Sequence, residues 1–196
     1  MTTEVTDCNT ALIGSYLPRQ CGIATFTSDL ANAIADNVSG RRVQIIAIND
    51  LPGGYRYPPE VHFEINQSQL ADYRLAAEFL NMNRVDVVFV QHEFGIFGGQ
   101  DGDHIIKLLR ALRMPVITTL HTILKEPSPS QYRVISDLAT VSDRLVAMSK
   151  TGARFLTDIY EIPRHKIEYI PHGVPDTPFV DPNYYKDQFG VEGKKV

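Results

Sequence analysis

The chain has no stretch of about 18 apolar residues, the length a membrane-crossing helix needs, and its opening Met1-Thr2-Thr3-Glu4-Val5-Thr6-Asp7 has neither a basic nor an apolar leader segment. The expected location is cytoplasmic, with peripheral membrane contact still compatible. Positive charge is also scarce. Nineteen Lys and Arg stand against 23 Asp and Glu for a formal net charge of -4, and no basic run exceeds the pairs Arg41-Arg42 and Lys194-Lys195. A nucleic-acid backbone is therefore a poor partner, and none is expected. Only two cysteines occur, Cys8 and Cys21, without a CxxC spacing, which excludes a disulfide framework and points to reduced thiols. Cys21 is expected to be a small buried residue rather than a nucleophile. No repeat of solenoid length is present. What remains is a chain of 196 residues, 43% apolar and 21% charged, enough to bury the core of one globular domain with room for an appendage.

Along that chain, short apolar runs alternate with segments of helical periodicity. Strands are expected at Ala11–Gly14, Val43–Ile48, Val61–Ile65, Val85–Val90, Val116–Leu120, Leu145–Met148 and Lys166–Ile170. Between them, helices are expected after Thr25 as N-cap, from Ser68, over Asp103–Leu112, from about Gln131 to Val141, and from the cap Ser149 through Ile159. Near-continuous apolar strands separated by helices define an α/β class with a doubly wound, mostly parallel sheet and helices on both faces. Beyond Pro175 the pattern changes to an irregular, proline-containing linker, a short helix within Tyr184–Val191 and the first residues of a strand at Lys194-Lys195-Val196.

Three of the runs end on a histidine: Val90-Gln91-His92, Thr119-Leu120-His121 and Ile170-Pro171-His172. The carboxyl ends of parallel strands are where ligands bind in open α/β sheets, so distant residues placed there can converge on one small molecule. The segment Gly14–Ala24 joins the first strand to the first helix, and its backbone N–H groups suit an anion. Its glycines match neither GxGxxG nor a Walker loop, and a plain turn that needs Gly22 for backbone freedom is an equal alternative. Phe97 is expected to anchor the Gly-rich loop that follows His92 and Glu93, whereas Phe94 is open between anchor and pocket wall. A metal site of His92, Glu93, His121 and His172 is disfavoured, because no HExxH, paired Asp cluster or short ligand spacing occurs.

Five segments, in order, resemble the retaining nucleotide-sugar-dependent glycosyltransferases of family 4, whose GT-B fold sets two Rossmann-like domains face to face. They are Pro18-Arg19-Gln20-Cys21-Gly22-Ile23-Ala24, Gln91-His92-Glu93-Phe94-Gly95-Ile96-Phe97-Gly98-Gly99, Thr119-Leu120-His121-Thr122, Met148-Ser149-Lys150 and Ile170-Pro171-His172-Gly173-Val174-Pro175. The resemblance covers essentially the whole chain and corresponds to the N-terminal half of such an enzyme. It departs where many members have Asn at His172 and Asp at Thr122.

The resemblance implies that Cys21, Gly22 and Ile23 approach the donor diphosphate and that His121 is catalytic, lying near the transferred sugar. It implies an acceptor site lined by Tyr16, Arg19, His92, Glu93 and Phe94, a hinge at His172 and Gly173, and no metal or cofactor beyond the nucleotide-sugar substrate. The partners implied are a nucleotide-sugar, an acceptor sugar or glycoconjugate, and a C-terminal domain of the same protein. Residues 1–175 would form the acceptor-side domain, and 176–196 the linker and start of a donor-binding domain that is cut off there, so that the chain alone transfers sugar poorly. A nucleotide-sugar epimerase-like enzyme and a non-catalytic glycan- or nucleotide-binding domain are the alternatives.

Overall fold

The computed structural model describes residues 8–37, 42–174, 181–191 and 193–195. Seven strands form one sheet: β1 (Thr10–Gly14), β2 (Val43–Asn49), β3 (Val61–Asn66), β4 (Val87–His92), β5 (Val116–Leu120), β6 (Arg144–Ala147) and β7 (Ile167–Tyr169). Their order is β3-β2-β1-β4-β5-β6-β7, and every pair is parallel. The helices are α1 (Gly22–Asn37), α2 (Leu70–Met82), α3 (His104–Leu109), α4 (Pro129–Val141), α5 (Lys150–Asp158) and α6 (Pro182–Gln188).

Burial explains the strand patterns. All five residues of β1 are buried, as are the last five of β2, because the central strands are covered on both faces. Alternate side chains serve opposite layers. Leu12, Ile45 and Ala47 pack with Ala31, Leu30 and Ile34 of α1. Ile13, Ile46 and Ile48 join Tyr73, Ala76, Ala77 and Leu80 of α2 in the larger core. The edge strand β3 is only partly buried, with exposed His62 and Glu64 alternating with more buried neighbours.

Several element boundaries differ from the sequence pattern, each for a local reason. α1 begins at Gly22 rather than behind Thr25, and the Cys21 Sγ takes the capping role by accepting the Ala24 N–H at 3.3 Å. α2 starts at Leu70, because Asn66 holds Ser68 in a side-chain turn (Ser68 N–H to Asn66 Oδ1, 3.0 Å). α4 starts at Pro129, two residues before Gln131. Proline is compatible with the first helical position, and Ser128 and Gln131 close a reciprocal capping box. α3 stops at Leu109, and the expected extension to Leu112 winds into tighter turns with Ala111 N–H on Leu108 O and Leu112 N–H on Leu109 O. In the tail, α6 forms where a short helix was expected, but Lys194 and Lys195 are not in a strand. Val196 and the expected domain boundary at Pro175-Asp176 lie outside the described residues.

Candidate functional site

β1 and β4 are neighbours in space, and the chain reaches β4 only after building the β2–β3 side of the sheet. At such a topological switch point the connections leave toward opposite faces, and a crevice opens beyond the strand ends. The loop after β1 therefore lies close to the residues that end β4 and β5.

That loop is fastened by its backbone and by one cation. Arg19 N–H bonds Tyr16 O and Cys21 N–H bonds Arg19 O, both at 3.1 Å. The Arg19 guanidinium turns toward the end of β2, 3.3 Å from an Asp50 carboxylate oxygen and 3.4 Å from Ile48 O. With Cys21 as the cap, Gly22 and Ile23 are the first residues of α1, whose N–H groups have no acceptor within the helix. Gly22 is exposed and a Cβ on it would meet nothing within 4 Å. Its φ is not in the left-handed region, so backbone freedom is not what the position requires. The helix end instead presents an uncovered donor pair with a favourable dipole for a negative group.

One turn into α1, Phe26 meets two of the strand-end histidines edge-on. Its ring centroid lies 4.9 Å from that of His121 and 5.3 Å from that of His172. His121 follows β5, held by its backbone N–H on His92 O at 3.0 Å and by Nε2 against Gln91 Oε1 at 3.0 Å. Next to it, the Thr122 hydroxyl donates to Glu93 Oε2 at 2.5 Å, while Glu93 Oε1 accepts the Phe94 N–H at 2.9 Å. Burial pushes the His121 pKa down. The Glu93 carboxylate opposes that effect and His172 adds to it, so the imidazole is neutral at physiological pH.

His121 also lines a pocket of about 410 Å³ with Thr122, Ile123, Met148, Ser149 and Gly152 among its walls. Ser149 caps α5 by accepting the Gly152 N–H at 2.9 Å. A Cβ on Gly152 would stand 2.9 Å from Ile123 Cδ1, so glycine lets the 121–124 segment pack close to α5. Tyr160 anchors the far end of that segment with a hydrogen bond to Leu124 O at 3.1 Å.

The structure brings Cys21, Gly22, Phe26, Glu93, His121, Thr122 and His172 to one edge, but two expected lining residues are not at its surface. Tyr16 is 2% exposed, packed among Leu12, Ala31, Ile45 and Ala47, with its hydroxyl on Glu60 Oε1 at 3.3 Å. His92 is fully buried, stacked on Phe97 at 5.7 Å and edge-on to Phe94 at 5.3 Å. Neither ring nitrogen of His92 finds a hydrogen-bond partner. Burial first, and the charge that His121 can carry second, push the pKa of His92 down to about 3. Phe97 is the expected anchor, whereas Phe94 is half-buried against the core. His172 is exposed and bonds Gly173 O through Nδ1 at 2.6 Å. Sequence reasoning gave neither Gln91 nor Phe26 a role at the site, since neither residue type signals a ligand at its position. Among the described residues no group of three or more His, Cys, Asp or Glu is arranged to hold a metal, and no helix is long and apolar enough to cross a membrane.

An open parallel sheet with a helix N-terminus at its switch point, and a histidine beside it at the end of β5, defines a Rossmann-like α/β domain. Solved structures agree at the level of fold. A glycosyltransferase from Rickettsia africae aligns with a TM-score of 0.58 and 17% identity, over 95% of this chain and 50% of its own. An alpha-glucosyltransferase crystallised with UDP and a 13-mer DNA aligns with a TM-score of 0.53 and 14% identity, over 74% and 38%. A putative UDP-N-acetylglucosamine 2-epimerase from Listeria monocytogenes gives 0.59 and 9%, over 82% and 44%. The chain thus spans half or less of the length of each. A search of curated protein sequences returns no match. Residues 21–177 match the model of Glycosyltransferase Family 4, and the chain belongs to that family as an N-terminal domain.

Proposed function

We propose that this chain is the acceptor-side half of an enzyme that moves a sugar from a nucleotide-sugar to an acceptor sugar or glycoconjugate with retention of configuration. One arrangement carries the reading: His121 meets Phe26, in the first turns of α1, and also lines the 410 Å³ pocket. A diphosphate at Gly22 and Ile23 places the departing negative charge on unpaired N–H donors, which stabilise it more as the glycosidic bond breaks. His121 is then beside the transferred sugar, and the pocket walled by Thr122, Ser149 and Gly152 receives the acceptor. Because the chain spans about half of its structural relatives, the remaining nucleotide contacts belong to a second domain, and the isolated chain binds donor weakly and transfers little. His172 and Gly173, exposed beyond β7, are the proposed hinge to that domain.

The fold is shared with a 2-epimerase, but Glu93 is occupied by Thr122 and by the Phe94 N–H, which leaves transfer as the better use of this edge. The DNA bound by one structural relative has no counterpart in this chain's net charge of -4. Titrating the labelled chain with UDP-glucose as a probe tests the reading. Amide shifts are expected at Gly22 and Ile23 and ring shifts at His121, with the His121→Ala variant losing affinity. Shifts confined to the opposite edge of the sheet would reject it.

A further inference from the structure

Gln91 is a long polar side chain with no exposed surface, and its two amide ends fare differently. Oε1 meets His121 Nε2 at 3.0 Å, while Nε2 is buried without a partner. Ser15 Oγ, beyond the end of β1, is likewise buried and unpartnered. A buried polar group half of which goes unmet calls for a reason, because an apolar residue would fill the same space at lower cost. The packing around Gln91 is closed. Gly14 lies so near that a Cβ there would stand 3.0 Å from Gln91 Cβ and 3.4 Å from Thr27 Oγ1. β4 and β5 pair in register up to His92 and Leu120, and the His121 N–H on His92 O continues that pairing. The amide and the imidazole are thus side by side on a fixed frame.

We propose that Gln91 is a positioning residue that keeps the His121 ring proton on Nε2 and so leaves Nδ1 as a hydrogen-bond acceptor for a hydroxyl of the bound sugar. An amide oxygen accepts and cannot donate, so it selects the tautomer that carries its proton toward Gln91. Among the described residues, Nε2 is the only nitrogen of the ring with a hydrogen bond. The orientation of the ring is then fixed before any ligand arrives, which is the kind of preorganisation that a site built on strand ends supplies. The sugar part of this assignment rests on the transferase reading above, whereas the tautomer does not.

The test is nitrogen-15 NMR of the histidine rings in the 196-residue chain, with the His121 signals identified by their loss in His121→Ala. The wild type is expected to show the proton on Nε2 at pH 7 and to exchange it slowly with water. Gln91→Leu should remove that protection. Gln91→Glu keeps an acceptor, so it should retain the protected proton and raise the His121 pKa by about 1–3 units through the added charge. A ring proton on Nδ1 in the wild type, or a protected Nε2 proton that survives in Gln91→Leu, overturns the proposal. If the leucine variant does not fold, an unchanged His121 pKa in Gln91→Glu overturns it alone. These signals are read without any sugar. A chain that shows them, but whose shifts with UDP-glucose are confined to the opposite edge of the sheet, supports the positioning role and rejects the transferase reading.

Discussion

Replacing His92 with leucine should make the protein resistant to acid. The wild-type ring is fully buried between Phe97 and Phe94, and its pKa falls from the ordinary 6.5 to about 3, chiefly by burial. An unfolded chain returns it to about 6.5. Between those values the unfolded state binds a proton that the folded state refuses. The stability tied to neutral His92 is therefore complete above about pH 6.5 and drains away as pH falls, by about 1.4 kcal/mol per pH unit. At pH 4.5 the loss is about 3 kcal/mol, a large share of the 5–15 kcal/mol typical of a folded domain. Leucine carries no proton, so the variant escapes this term. At neutral pH two effects oppose each other: the lost stack on Phe97, worth about 0.5–1.5 kcal/mol, and the removal of two unpartnered nitrogens, which cost about 1–3 kcal/mol each. Urea unfolding of both proteins from pH 7.5 to 4.5 isolates the pH-dependent part, because carboxylate titration is common to the two. The difference should move by about 3 kcal/mol in favour of His92→Leu. A difference that stays flat across that range would refute the buried neutral histidine.

The two glycines flanking the loop after β1 should respond in opposite ways to alanine. Gly14→Ala drives a Cβ to 3.0 Å from Gln91 Cβ and is expected to cost about 1–3 kcal/mol as overpacking, whereas Gly22→Ala, facing open space, should stay within about 0.5 kcal/mol. Urea midpoints of the pair check both, and equal midpoints would contradict the packing described. Ser149→Ala removes the cap of α5 and should lower stability by about 1 kcal/mol, visible as a drop in Tm. An unchanged Tm would mean that the Gly152 N–H is satisfied without Ser149.

The sheet was legible because burial on both faces writes itself into runs such as Ala11-Leu12-Ile13-Gly14 and Val116-Ile117-Thr118-Thr119-Leu120, and parallel strands leave few other places for them. Helix starts were less so. Cys21 is not a usual capping residue, and its role depends on where the preceding loop delivers Ala24. For the site, strand-end position drew attention to His121, but it drew the same attention to His92. The side chain of His121 leaves the sheet toward Phe26 and the pocket, while that of His92 turns inward beneath Phe97. Only the register of β4 against β5 and the course of the following loop decide between those outcomes. Gln91 was invisible for a related reason: a glutamine at the end of an apolar strand reads as the edge of the core until its neighbour across the sheet is known.

The strand order has a consequence for the growing chain. β1 is made early yet sits in the middle of the sheet, and its β4 partner arrives much later, as the Asn9 N–H to Asp86 Oδ2 bond across 77 positions shows. Closing so long a loop carries an entropic cost that nearby pairings avoid. The β2 and β3 side can therefore zip onto β1 during synthesis, whereas the other half must find it afterward. Gln91, His121 and the α1 cap all lie along that late seam. A ribosome that has released the first 90 residues has produced the Cys21 cap, Gly22 and Phe26 of the site but neither Gln91 nor His121.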